Sequence, residues 1–272
     1  RHVGARAGRP ERGYLPGLAL ARDREKPEST FRQAPRPKID HPLVFPAPLR
    51  HTRGSLFFIR GRMQIDVISD SVCPWCFIGK RRLESALRMY EERATDGQKP
   101  AVRWLPFQLN PDLPPEGISR QEYIERKWGK AGNKYERVSA VGREVGIDFK
   151  FDDIKVQPNT VNAHRLMYYG TKHGREDATA ESLFNAYFIE GRNIADTQTL
   201  AEVGERAGLE RDLLENYLDS DEDLEAVLNS DREARNAGVS GVPFFIFNRK
   251  LAVSGAHEPE TLLNAMLKSK EG

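Results

Sequence analysis

The chain has 272 residues, 39% of them hydrophobic, with a mean hydropathy of −0.62 and a formal net charge of +2. That is enough apolar material for one large core or two ordinary ones, while no run approaches the ~18–20 consecutive apolar residues of a membrane-spanning helix. The near-neutral total hides an asymmetry: residues 1–62 carry 14 Lys and Arg against 5 Asp and Glu, a balance of +9, which leaves −7 for the rest.

Residues 1–62 also hold 8 of the 17 prolines and show no sustained hydrophobic period. Pro35-Arg36-Pro37 and Pro46-Ala47-Pro48 break helices and remove ladder donors, so this stretch reads as a disordered, basic, Pro/Arg-rich leader. Arg-rich, acid-poor leaders serve as organelle transit peptides or as nucleic-acid-binding arms. Prolines interrupt every candidate amphipathic helix and Ser is scarce, which argues against the transit reading. Met63 is the first methionine and stands directly before the first regular element, so a functional start at Met63 is a second expectation.

From Met63 the signals become regular. Gln64–Ser69 alternates polar and apolar residues as a strand does. Asp70 and Ser71 are turn and capping residues, and a helix follows through Ile78, Leu83, Ala86, Leu87 and Tyr90 on one face, stopped at Thr95-Asp96-Gly97. Lys80, Arg81 and Arg82 take the other face, most simply as a solvated surface, with a second reading in which they stabilise a thiolate nearby. Ala101–Phe107 reads as a second strand, and the β-α-β unit implies a parallel pair joined by a right-handed crossover.

Beyond a Pro-rich exit at 110–115, the spacing predicts helices over 119–128, 135–145, 162–171, 178–190, 197–207, 209–218 and 221–237. Two strands, 242–247 and 251–253, joined by Asn248-Arg249-Lys250, and a helix over 258–267 close the chain. The order βαβ, helices, ββα fits a sheet split by a helical insertion, placed at about 113–220, within one domain spanning 63–270.

The only two cysteines, Cys73 and Cys76, lie in the stretch DSVCPWCFIG. At a helix N-terminus the first sulfur faces unpaired backbone N–H groups and the positive end of the helix dipole, both of which favour a thiolate and make Cys73 the attacking group. Cys76, one turn on, is placed to resolve a mixed disulfide while being poorly exposed. Pro74 has no N–H to lose at an early helical position, and Trp75 sets a large ring beside the exposed sulfur. Half of a zinc site is the competing use of a C-x-x-C, but none of the six histidines forms an H-x-x-H or H-x-x-x-H pair. No metal is expected. In Gly241-Val242-Pro243, proline marks the start of an apolar strand, and an ordinary trans turn proline remains open.

With CPWC after the first strand and GVPFFIF at the return, the chain resembles the thioredoxin-fold DsbA family, and more narrowly its FrnE-like branch. IDVISDSVCPWCFIGKRRLE, PFQLNPDLP, PNTVNAHRL, AYFIEGRNIAD and AGVSGVPFFIFN carry the resemblance, which extends over 63–270 and over none of 1–62. It implies an α/β thioredoxin fold split by a large all-helical insertion, with dithiol–disulfide exchange of the reductase or isomerase type. Cys73 would be the nucleophile, Cys76 the resolving thiol and Pro243 a cis-proline facing them. Val242 would offer backbone groups to an extended substrate, and Trp75 would also contact it.

The same superfamily holds 2-hydroxychromene-2-carboxylate isomerases and kappa-class glutathione transferases, which typically have Ser where Cys73 stands, so a glutathione-dependent isomerase or transferase is the alternative. Asn159 can cap the helix after it. His164 and Arg165 either face the cleft, His164 as a substrate-binding residue, or are a satisfied helix residue and a structural Arg. Met167, Tyr168, Tyr169, Phe184, Tyr187 and Phe188 read as core or cleft lining.

Two cysteines, no secretory h-region and no Asn-X-Ser/Thr site favour a reducing, intracellular and cytoplasmic setting, with organelle targeting by 1–62 left open. The expected partners are disulfide-containing proteins or small thiols, with glutathione as a redox co-substrate or a reductase for recycling. Neither nucleic acid nor membrane is expected, and the sequence allows a homodimer without specifying one.

Overall fold

The computed structural model describes residues 62–93, 98–129 and 135–271. The leader expected over 1–62 therefore lies outside the described residues except for Arg62. The first strand, β1 (Gln64–Ser69), is followed by α1 (Pro74–Arg93) and β2 (Ala101–Pro106), and β1 and β2 pair in parallel with Gln64 opposite Ala101 and Ser69 opposite Pro106.

After β2 come β3 (Ile118–Ser119), α2 (Arg120–Trp128), α3 (Glu136–Glu144), β4 (Val156–Gln157), α4 (Val161–Lys172) and α5 (Glu176–Phe188). Then α6 (Thr197–Arg206), α7 (Arg211–Asp219) and α8 (Leu224–Asn236) lead to β5 (Phe244–Phe247), β6 (Leu251–Ser254) and α9 (Pro259–Lys270). The main sheet has the order β2-β1-β5-β6, with β5 antiparallel to β1 and β6 antiparallel to β5.

The described strands and helices follow the sequence expectation, with two additions, one of them a 3-10 turn at Phe151–Asp153. The inserted segment also holds a two-stranded antiparallel ladder, Ile118 opposite Gln157 and Ser119 opposite Val156. Ser119 then caps α2, its hydroxyl accepting the Glu122 N–H at 3.1 Å, and Asp196 caps α6 in the same way through Thr199.

β1 is central and buried on both faces, although its sequence alternates. Its inward charge, Asp66, is satisfied by Arg103 Nε at 2.7 Å and by the Gln64 side-chain amide at 2.9 Å. α1 lies on the sheet and buries Phe77, Ile78, Leu83, Ala86 and Tyr90, with α9 beside it. Phe77 stacks on Phe184 of α5 with ring centroids 5.0 Å apart, and Trp104 of β2 meets the same ring edge-on at 6.2 Å. These contacts fix the inserted helices to the sheet.

The basic run of α1 departs from the solvated-face expectation. Lys80 is 3% exposed and faces Glu84, Asp177 and Glu181. Arg81 pairs with Glu181 and Glu84, and Arg82 with Glu258 at 2.6 Å and the Ala256 carbonyl at 2.5 Å. Glu84 is on α1 itself, but the other acids come from α5 and from the residue before α9, so the run clamps α1 to elements distant in sequence. Burial alone would raise the Glu181 carboxyl, but hydrogen bonds and charge from Arg81 and Lys80 outweigh it and hold it at about 2.

Candidate active site

The ladder registers decide where the two motifs meet. Ile68 near the end of β1 pairs with Phe244 at the start of β5, so the chain leaving β1 toward Cys73 passes the chain entering β5 from Val242. Cys73 precedes α1. Its N–H donates to the Asp70 carbonyl at 3.0 Å, and its own carbonyl accepts from the Cys76 N–H at 2.9 Å. The Cys73 thiol donates to the Val242 carbonyl at 3.5 Å, across 169 sequence positions. The Val242–Pro243 peptide is cis.

Gly79, one turn beyond Cys76, allows this approach. A Cβ there would lie 2.9 Å from Pro243 Cγ, closer than such atoms stand without a shift, and a tight 3.2 Å from the Phe245 ring. α1 rests against the proline because residue 79 has no side chain.

Both sulfurs are buried, Cys73 at 5% exposure and Cys76 at 1%. The sequence led us to expect an exposed first sulfur; here Val72, Val242 and the half-buried Trp75 belong to the same apolar cluster as Cys73. Burial pushes the Cys76 thiol well above its ordinary value and the neighbouring Cys73 adds to the rise, while the Ser69 hydroxyl and the Asp70 backbone pull the other way.

Asp70 is fully buried. Its carboxylate accepts the Leu109 N–H at 2.7 Å and the Val72 N–H at 3.5 Å. His164 of α4 is 4% exposed, and its Nε2 stands 3.6 Å from Asp70 Oδ1. Arg165, its neighbour in sequence, points away. It donates to the carbonyls of Tyr217, Leu218, Ser220 and Glu222 at the end of α7 and just beyond, the structural reading of that residue.

Asn159 accepts the Val161 N–H at 3.0 Å at the start of α4, and its amide donates to the Leu113 carbonyl at 2.7 Å. It thereby ties the exit from β2 to the helix that carries His164. Phe184, Tyr187 and Phe188 are core residues; Met167, Tyr168 and Phe184 also line a cleft beside the end of β1. Sequence reading gave Ser69 and Asp70 no part beyond ending a strand and starting a turn. Three polar residues, Ser69-Asp70-Ser71, separated from Cys73 by Val72 alone, were the available signal.

Among the described residues no three His, Cys, Asp or Glu side chains gather as a metal site, and no helix is long and apolar enough to cross a membrane.

Residues 64–267 match the family model described as a DSBA-like thioredoxin domain. The crystal structure of a probable DsbA oxidoreductase from Streptomyces coelicolor is similar at a TM-score of 0.69 and 27% identity, covering 77% of this chain and 90% of that one. A 2-hydroxychromene-2-carboxylate isomerase structure is similar at a TM-score of 0.54 and 18% identity, over 75% and 95% of the two chains. The uncharacterized protein YwbO of Bacillus subtilis is 26% identical over 192 residues, 68% of this chain and 86% of that protein.

Proposed function

The chain belongs to the DSBA-like thioredoxin domain family, a family of thiol oxidoreductases, and from that premise we propose that it is a protein-disulfide oxidoreductase of the reductase or isomerase type, using Cys73 and Cys76 as its dithiol. The observation that carries this reading is the pairing of two free, buried sulfurs one turn apart with a backbone acceptor. Cys73 lies at the start of α1 against the Val242 carbonyl, and Cys76 lies one turn deeper.

In the first step the Cys73 thiolate attacks a substrate disulfide, forming a Cys73–substrate mixed disulfide and releasing one substrate thiolate. The thiol hydrogen of Cys73 is then gone, which frees the Val242 carbonyl to accept a backbone N–H from an extended substrate segment. In the second step Cys76 loses its proton and attacks Cys73 Sγ. The mixed disulfide breaks, the second substrate thiolate leaves, and Cys73–Cys76 is the oxidised product. Trp75 lines the approach to Cys73. Glutathione or a thiol reductase would restore the dithiol, and a reducing, intracellular setting suits a working cycle that starts from two free thiols.

Replacing Cys76 with Ser tests the reading. A disulfide-bonded protein should then form a stable adduct on Cys73, seen by intact mass, and turnover should stop after one event. A glutathione-dependent isomerase or transferase needs only one sulfur. The isomerase structure sharing this fold gives that second reading its footing, and undiminished turnover by Cys76→Ser would favour it.

A further inference from the structure

The Val242 carbonyl is the backbone group that the Cys73 thiol meets, and its place depends on what holds the residues around it. Val242 and Pro243 precede β5 and lie outside its ladders. Two contacts hold Pro243. Its ring rests on α1 at Gly79, and its carbonyl accepts the Gly255 N–H at 2.8 Å, just beyond β6. Gly255 presents that N–H from a φ of +96°, a conformation that favours glycine.

The ladder of β6 ends at Ser254, so the turn over 255–258 needs a hold of its own. Arg82 supplies it. This residue lies one turn beyond Gly79 on α1 and is 8% exposed. One terminal nitrogen donates to the Ala256 carbonyl at 2.5 Å, and the other meets the Glu258 carboxylate at 2.6 Å. Its Nε makes no hydrogen bond among the described residues, so the guanidinium is committed to this turn. Attaching α9 would take only the Glu258 pair; the bond to Ala256 fixes the backbone next to Gly255. An arginine fork holds two acceptors at a set angle, and bonds from a charged donor are stronger than neutral ones.

The helix that begins at the cysteine motif therefore grips the Val242–Pro243 segment twice. It does so directly, where Gly79 has no side chain. It does so again at one remove, from Arg82 through Ala256 and Gly255 to the Pro243 carbonyl.

We propose that Arg82 is a positioning residue for an extended peptide substrate, a role that rests on the dithiol reading. It sets the Val242 carbonyl where a peptide backbone N–H reaches it while the peptide's disulfide lies against Cys73. Cys73 Sγ, as thiolate, then bonds to the peptide sulfur, the bond between the two substrate sulfurs breaks, and the departing thiolate takes the electron pair. Arg82 itself touches neither substrate nor sulfur. A substrate with no backbone N–H gains nothing from the carbonyl, so Arg82 matters little to it.

The test uses the reduced full chain and two substrates that release the same light-absorbing thiol. One is a small symmetric aromatic disulfide. The other is an extended peptide whose single cysteine carries that aromatic thiol as a mixed disulfide. Arg82→Met should slow release from the peptide about 5–10-fold, as loss of a hydrogen bond does, and from the small disulfide less than about twofold. Glu258, whose side chain is 64% exposed, then turns to water, and no buried charge is stranded.

Arg82→Lys keeps the charge but holds one acceptor at a time. It should show the same selective loss in smaller measure, and it decides the matter alone if Arg82→Met does not fold. Equal slowing with both substrates would make the role structural and overturn the assignment. So would parental rates with both. If the parent protein releases no thiol from either substrate, the dithiol reading fails and the positioning role falls with it.

Discussion

Cys73 and the Val242 carbonyl meet through the sheet: parallel β1–β2 pairing and antiparallel β1–β5 pairing bring two segments 169 residues apart to the same end of the sheet. His164 and Phe184 reach the same end from the helices inserted between β2 and β5, held there by ring stacking, a tie through Asn159 and an ion-pair clamp. Backbone ladders place the sulfurs; packed side chains place the groups that surround them. Damage to the first should abolish chemistry outright, and damage to the second should act through stability and rate.

Cys73→Ser is the largest expected effect: disulfide exchange falls to the uncatalysed level with folding intact, measured by product-thiol release alongside thermal unfolding. Phe77→Ala comes next. It removes the ring that stacks on Phe184 and should cost about 3–5 kcal/mol, seen by denaturant titration, with hydrogen exchange rising at the α1–α5 contact before it rises in β1. Equal loss of protection in both would dissolve the distinction between sheet and insertion. Gly79→Ala forces a methyl against Pro243 and should cost about 1–3 kcal/mol as overpacking does, with slower mixed-disulfide formation because the Val242 carbonyl moves away from Cys73.

The smallest effect is a pH dependence. Glu181 is held at about 2 against an ordinary 4.5, so its contribution to stability is complete above about 4.5 and is lost as pH falls toward 2. Glu181→Gln should therefore be less stable than the parent at pH 7, and the gap should close across that window. A gap that stays constant down to pH 2 would mean that the clamp holds by packing and not by charge.

The elements of the fold were legible because each has a strong local signal: β-branched alternation in β1, apolar spacing in α1, paired short strands before the final helix. The β3–β4 ladder was not, since strands of two residues have no period to show. The burial of Lys80 and Arg82 and the pairing of Arg81 were also invisible, because Asp177, Glu181 and Glu258 lie roughly 100 to 180 positions further on and a charge run looks solvated until its partners are known. His164 and Arg165 look like one motif, yet successive helical positions point about 100° apart, so one faces Asp70 and the other holds the end of α7. Ser69 and Asp70 were read as the end of a strand and a turn. Their nearness to Cys76 depends on how α1 folds back, which no local pattern announces.

The central claim is that Cys73 and Cys76 act as one redox pair, and an intact-mass titration of the full chain in graded reduced and oxidised glutathione tests it most directly. The account predicts a single transition in which the chain loses two hydrogens as Cys73–Cys76 closes, at a midpoint that gives the potential and hence the direction of exchange. A stable glutathione adduct with no closure, or no change at all, would contradict it.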